Sequence, residues 1–402
     1  MRISTSMLFR LGGERIGQQQ SEMLRTQAQL STGRRILSPS DDPIGAGQIL
    51  HETQAKAIAD QYTTNQGYAR SALSLAESTL GDAGGAIADA RTALVNAGDG
   101  ALSDSDRNSL ALELQAQYDR LLGLANTRDA NGDYVFAGYQ SGTQPFSATA
   151  TGAQYNGDEG VREMTVGDSR SVPLSASGAW VFDRAPGGNG TFTIAPGATN
   201  AGTGIHDGGS VTDPSALTGH DYRIQFHVAG ASTTYDVVDV TAGSNVVSGA
   251  SWSKGQSILF DGQQVRITGA PADNDAFDIA PAAATSVFET LKSAIAALKT
   301  PATTPAGRAS IGNAIASGLA ALDQAQDRVL DARAVMGAHL QELDSLGNLT
   351  SATSNQHAEN LSRLQDLDYA AALTLFSSQQ VALQAAQQSF LKVSSLSIFD
   401  KL

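Results

Sequence analysis

The chain has 402 residues, enough for two or three domains, and a formal net charge of −14. Binding to a phosphate backbone needs a basic footprint, so nucleic acid is not an expected partner. There is no cysteine, which excludes a disulfide, a thiol nucleophile and a cysteine-based zinc site.

The charge is uneven. Residues 1–40 carry six Arg against two Glu, whereas residues 151–283 carry six basic and fourteen acidic groups. A mildly basic leader ahead of an acidic body suits either an export feature or a solvated helix. No stretch approaches the ~18 consecutive apolar residues of a membrane helix, so no membrane insertion is expected. Residues 1–30 are interrupted by Gly12, Glu14, Arg15 and several Gln. They lack the apolar core of about 7–15 residues found in a cleaved secretory signal. Absence of cysteine fits a chain that is exported unfolded by another route.

The first predicted helix carries Phe9, Ile16, Met23 and Leu30 at seven-residue spacing. Its second row is Gly12, Gln19 and Thr26, too thin for a stable solitary helix. Ser38-Pro39-Ser40-Asp41-Asp42-Pro43 stops it. Asp42 reads as an N-cap and Pro43 as the first residue of the next helix. Ala69, Leu73, Ala76, Leu80, Ala83, Ile87, Ala90 and Leu94 then alternate in steps of four and three, an a/d seam with Ala filling one row. A third helix opens at Ser103, with Asp106 at capping-box spacing, and is expected to end near the Asn131-Gly132 turn. Tyr134-Val135-Phe136 reads as a short strand.

From about 150 to 283 the pattern turns to alternation rich in Gly, Ser and Thr. Tyr222, Ile224, Phe226 and Val228 point one way, and Arg223, Gln225 and His227 the other. Tyr235 and Val237 follow a Gly230 turn. Asp261-Gly262 marks a hairpin between 258–260 and 265–267. Phe192-Thr193-Ile194-Ala195-Pro196 is echoed by Phe277-Asp278-Ile279-Ala280-Pro281. The second long seam runs Ile311, Ile315, Gly318, Leu322, Ala325, Val329, Ala332, Met336, His339, Leu343 and Leu346. It matches the period of 69–94 and is its natural antiparallel partner. Thr350, Thr353, His357 and Asn360 then make the register polar, which reads as a hinge or domain boundary. The last seam is Tyr369, Ala372, Phe376, Gln379, Leu383, Ala386, Phe390 and Val393.

The expected fold is mainly α with an inserted β domain: a long antiparallel coiled-coil helical bundle built from both termini, carrying a small β-rich domain. Its domains would be 1–42 with 358–402, 43–149 with 284–357, and 150–283. The core seam is expected at Leu73, Leu80, Ile87, Leu94, Leu322, Val329, Met336 and Leu343. An assembly interface is expected at Phe9, Ile16, Met23, Leu30, Tyr369, Phe376, Leu383, Phe390, Val393, Leu396 and Phe399.

No catalytic constellation emerges. The six His show no i, i+4 pair and no HExxH pattern. His220 and His227 read as strand residues rather than metal ligands, and His339 as a packed or register-setting seam residue. Neither GxSxG nor a phosphate-binding loop occurs. Asp41-Asp42 reads as a cap and Asp158-Glu159 as a turn. No enzyme activity, cofactor or metal is expected.

Several phrases carry a family resemblance. Ser31-Thr32-Gly33-Arg34-Arg35-Ile36, followed by Pro39-Ser40-Asp41-Asp42-Pro43, resembles the N-terminal signature of the flagellin superfamily, and within it of the flagellar hook-associated protein 3 family (the hook–filament junction proteins). Asn131-Gly132-Asp133-Tyr134-Val135-Phe136-Ala137-Gly138, with Thr143, Pro145 and Phe146, is similar to that family's segment after the third helix. Gln365-Asp366-Leu367-Asp368-Tyr369 and Leu396-Ser397-Ile398-Phe399-Asp400 resemble its C-terminal pattern. The resemblance implies an extracellular structural component of the flagellum, passed through the flagellar type III channel without a cleaved signal. It implies as partners a ring of copies of itself, hook-associated protein 1, flagellin, and a cytosolic export chaperone on the C-terminal helix. A short flagellin is the alternative within the superfamily. An enzyme or glycan-binding module in 150–283 is the rival outside it.

Overall fold

The computed structural model describes residues 5–395. Six helices dominate: α1 (Thr5–Thr32), α2 (Pro43–Ala97), α3 (Asp104–Ala125), α4 (Val287–Lys299), α5 (Pro305–Gln365) and α6 (Tyr369–Ser395). A β-rich region is inserted between α3 and α4. The chain divides into two compact units, one of residues 65–344 and one of residues 1–64 with 345–402.

In the 65–344 unit the two 4–3 seams meet. Ala69, Leu73, Ala76, Leu80, Ala83, Ile87, Ala90 and Leu94 of α2 are all buried, as are Leu322, Val329, Met336 and Leu343 of α5. Ion pairs flank the seam and fix an antiparallel register: Arg91 meets Asp323 at 2.6 Å, and Arg333 meets Glu77 at 2.7 Å. The Ala row permits close approach, and the large row supplies the apolar area removed from water.

α3 starts on a complete capping box: Ser103 Oγ accepts from the Asp106 amide, and the Asp106 carboxylate accepts from the Ser103 amide. It ends at Ala125, earlier than the Asn131-Gly132 turn. Asn126 leaves the helix because its side chain bonds both backbone groups of Phe146, at 2.9 Å each. Tyr134-Val135-Phe136 is not a strand. Tyr134 makes one isolated bridge to Arg128, and Val135 and Phe136 turn inward and are buried. Phe136 joins Phe146, Phe182 and Phe288 in an aromatic cluster with ring separations of 5.1 to 6.1 Å. Phe288 comes from α4, a helix the heptad reading did not anticipate. Its residues Val287, Leu291, Ala294, Ile295 and Leu298 bury a single face.

Among the described residues the β region holds five antiparallel sheets, three of them simple strand pairs and two larger. One orders its strands 244–251, 232–239, 222–229, 276–281 and 192–196. The other orders them 257–260, 263–268 and 205–206. The two echoed phrases are hydrogen-bonded neighbours, Phe277 opposite Pro196 and Pro281 opposite Phe192. The alternation at 222–228 is observed, with Tyr222, Ile224 and Phe226 buried and Arg223 exposed. Together with Val237, Phe277 and Ile279 they face Ile258, Val265 and Ile267 of the other sheet across one core. The Asp261-Gly262 turn has φ of 38° and 74°, the left-handed pair that a tight hairpin requires.

The polar stretch 350–360 does not interrupt its helix, because α5 runs unbroken to Gln365. Partners on α2 satisfy the polar groups. Glu52 Oε2 lies 2.6 Å from His357 Nδ1, and Asp60 Oδ1 accepts from Ser354 Oγ at 2.9 Å. The break falls instead at 366–368, between α5 and α6. Among the described residues, no helix is long and apolar enough to cross a membrane.

Candidate assembly interface

Within the terminal unit α1 and α6 pack antiparallel. Phe9 meets Phe390 edge-on at 5.9 Å. Gly12 lies under the same ring, where a Cβ would come within 2.8 Å of it. Ile16, Gln19, Met23 and Leu30 are half-buried and Thr26 is fully buried, so both rows of the N-terminal repeat face the partner helix. On α6 the matching positions are Ala372, Phe376, Gln379, Leu383, Ala386 and Phe390.

Far from the Phe9–Phe390 contact, the two signature phrases meet. α1 ends on Gly33, whose φ of +67° is left-handed and whose amide donates to Gln29 at 2.8 Å. The left-handed φ is what requires glycine; a Cβ there would also stand 2.7 Å from the Tyr369 hydroxyl and displace that side chain. Arg35 N–H donates to Gln365 O at 2.8 Å, and Leu367 N–H donates to Gly33 O at 3.0 Å. Asp41 accepts from the amides of Leu37 and Ser38 and pairs with Arg25 at 2.9 Å. Those amide bonds, the Ser38 bond foremost, hold its carboxyl below the usual carboxylate range. Asp42 Oδ1 caps α2 by accepting from Gly45 at 2.9 Å. The acidic pair is therefore fully engaged in ending one helix and starting another.

The expected interface residues thus occupy different places. Phe9, Ile16, Met23, Leu30, Phe376, Leu383 and Phe390 line the seam inside this chain. Tyr369 and Val393 are exposed, at 57% and 51%. Leu396 and Phe399 lie outside the described residues. A second set of apolar residues faces outward. It comprises Leu11 and Leu24 of α1, Ile44, Leu50 and Ile58 of α2, Leu349 of α5, and Leu373, Leu375, Val381 and Leu391 of α6. Ile44 is 77% exposed and Leu50 69%. None of this outward set sits on the heptad rows, so a search for heptads passes over it. The signal that finds it is large apolar residues repeated off the seam.

The candidate chemical groups are occupied elsewhere. His220 Nδ1 lies 2.7 Å from Asp239, and His227 Nε2 lies 3.1 Å from Asp236. His339 Nδ1 lies 3.3 Å from Glu342. Asp158 Oδ1 closes a turn by accepting from Tyr139 and Gly160. Among the described residues, no group of three or more His, Asp or Glu is placed to hold a metal ion. His206, which carries no sequence signal, is buried in the 65–344 unit. Its Nδ1 accepts from Gly208 at 3.1 Å and its Nε2 faces Ser317 at 3.3 Å. Asn313 ties the same strand to α5, accepting from the His206 amide at 2.9 Å. Burial pushes the His206 imidazole down to about 4.

Residues 3–141 match the family described as the bacterial flagellin N-terminal helical region. Residues 196–281 match the D2-like domain of flagellar hook-associated protein 1. Flagellar hook-associated protein 3 of Escherichia coli (strain K12) is 32% identical over 400 residues, 99% of each chain. The crystal structure of flagellar hook associated protein-3 from Legionella pneumophila aligns with a TM-score of 0.75 and 32% identity, covering 79% of this chain and 98% of that one. The flagellar junction protein FlgL from the same organism aligns at 0.72 and 31%, covering 79% and 99%. Flagellin of Salmonella oranienberg matches more narrowly, 26% identical over 60% of this chain and 48% of the flagellin. Similarity along nearly the whole length of both chains, joined to a terminal helix pair tied by the signature phrases, settles the family: the chain belongs to the flagellar hook-associated protein 3 family.

Proposed function

We propose that this chain is a structural subunit of the bacterial flagellum, forming the ring at the hook–filament junction between hook-associated protein 1 and flagellin. The observation that carries this reading is the apolar face left outward by the terminal helices. A stable monomer gains nothing from exposing Leu50, Leu373, Val381 and Leu391, whereas a ring subunit buries them against its neighbours. The seam residues Phe9, Ile16, Met23, Leu30, Phe376, Leu383 and Phe390 hold α1 on α6. That pairing presents the outward face, joined by Tyr369 and Val393, and Leu396 and Phe399 are assigned to the same interface from their place in the sequence alone. In this reading 1–42 with 358–402 is the assembling region, 43–149 with 284–357 is the helical body, and 150–283 is the outer β domain.

The relatives are structural flagellar proteins, and the role assigned here is likewise structural. Export proceeds through the flagellar type III channel without a cleaved signal, with a cytosolic chaperone covering the C-terminal helix beforehand. The same exposed residues of α6 support coverage of that helix before assembly. A short flagellin is the competing reading, supported by the narrower flagellin match. Disrupting the gene separates the two. Loss of a junction subunit leaves hooks intact and releases flagellin monomers into the medium. Full-length filaments on the disrupted strain would contradict the junction role.

A further inference from the structure

Residues 204–208 fasten the β region to α5 through a closed chain of hydrogen bonds centred on His206. Asn313 of α5 holds the backbone: its Oδ1 accepts from the His206 amide and its Nδ2 donates to Gly204 O, both at 2.9 Å. Ile205 rests on Gly312 of the same helix, where a Cβ would stand 2.7 Å from the isoleucine Cδ1. The imidazole completes the attachment. Gly208 N–H donates to His206 Nδ1 at 3.1 Å, so Nδ1 is the bare nitrogen and the ring proton sits on Nε2. Nε2–H faces Ser317 Oγ at 3.3 Å, and the Ser317 hydroxyl donates onward to Ile194 O at 3.5 Å. His206 is 2% exposed and Asn313 3%.

This arrangement admits only the neutral imidazole. A second ring proton has to sit on Nδ1, against the Gly208 N–H, where two donors then face each other in place of a bond. The surroundings do not compensate the imidazolium. α5 presents Asn313 and Ser317, which do not titrate, and the neighbouring strands present Thr193, Ile194 and the Phe277 ring, edge-on at 6.3 Å. Asp207 accepts from the amides of Gly209 and Arg266, and the Arg266 guanidinium reaches Ser257. Asp278 pairs with Arg223. Glu289 of α4 lines the half-open cavity of about 330 Å³ beside the ring, but bonds neither ring nitrogen. Burial lowers the imidazole and outweighs the opposing pull of Asp207. We propose that His206 is a proton-operated latch: protonation frees residues 204–208 from Asn313 and Ser317 and loosens the β region on α5, while both larger sheets and the helical seam stay folded. The latch acts within the 65–344 unit and is independent of the chain's place in the flagellum.

Hydrogen exchange of the full chain at pH 7.5 and pH 4.5, each rate divided by the intrinsic rate of its amide at that pH, reads the latch amide by amide. The His206 and Gly208 amides are expected to open at least about tenfold more often than those of Leu80 and Ile224 at both pH values. Their opening is expected to rise about 70-fold on acidification, the factor set by a group that titrates at about 4 when closed and 6.5 when open. His206→Gln removes the titrating group and is expected to cut that rise below about threefold. Asn313→Ala is expected to raise opening at both pH values and to keep the ratio between them. Nitrogen NMR of the wild-type ring needs neither variant: it should show the Nε2–H tautomer at pH 7.5 and a titration midpoint near 4. An Nδ1–H tautomer overturns the proposal. So does opening at His206 and Gly208 no more frequent than at Leu80 and Ile224, or an undiminished pH ratio in His206→Gln.

Discussion

The two compact units solve the burial problem in opposite ways. The 65–344 unit closes on itself. Its helical seam, aromatic cluster and double-sheet core leave Leu80, Leu94, Phe136, Phe226 and Phe277 without solvent contact. The terminal unit contributes only Ile36, Ala59, Ala372 and Leu383 to the buried hydrophobic residues among those described. Its α1–α6 seam is real but shallow: Ile16, Met23 and Leu30 are only half-buried, and the second row carries Gly12, Gln19 and Thr26 where the α2 seam has buried Ala. Helix formation alone cannot hold such a pair, since most helical stability comes from a buried face. The 65–344 unit is built to be stable, and the terminal unit to be completed.

Deleting 369–402 tests this contrast most severely. It removes the partner of α1 and the outward residues of α6. Hook-end assembly should vanish, while the 65–344 unit keeps its melting transition, read by near-ultraviolet dichroism. Loss of that transition would make the units interdependent. Next in size is Leu80→Ala, which opens a cavity in the inner seam and should cost about 2–5 kcal/mol in denaturant unfolding. The same truncation at Leu383, in the shallower seam, should cost less than half as much.

Acid should act on the 65–344 unit through His206. Its folded pKa, about 4, lies below the ordinary imidazole value of 6.5, so the unfolded chain binds more protons between those values. Stability is therefore complete above about pH 6.5 and falls progressively toward pH 4, by on the order of 3 kcal/mol at most. Urea titrations of the wild type and His206→Gln should show a smaller pH slope in the variant over that window. The smallest effect on the monomer is expected at the outward face. Val381→Ser should change unfolding free energy by no more than about 0.5 kcal/mol. It should still reduce occupancy of hook ends, which can be counted by immunolabelling.

What could be read from residues alone follows the range of the interactions. Caps and seams are local or periodic. Hence Asp42 before Pro43, the Ser103–Asp106 box and the inner heptads were all legible. The echoed phrases at 192–196 and 277–281 also proved informative, since they are paired strands. Features completed across long sequence separations were not legible. The polar stretch 350–360 reads as a break only if its partners are ignored, and those partners, Glu52 and Asp60, lie about 300 residues away. α4 is a single short amphipathic face of 13 residues, too brief for a heptad pattern. The outward apolar residues were hidden for a different reason: heptad reading assigns function to the seam, but the seam is used up inside the chain.

Hydrogen exchange on the dilute monomer tests the central claim most directly, because it reads local opening residue by residue. The account predicts that amides of 9–30 and 372–390 exchange orders of magnitude faster than those of 69–94 and 311–343, and become protected once the chain joins the hook. Equal protection of both sets in the free monomer would contradict it.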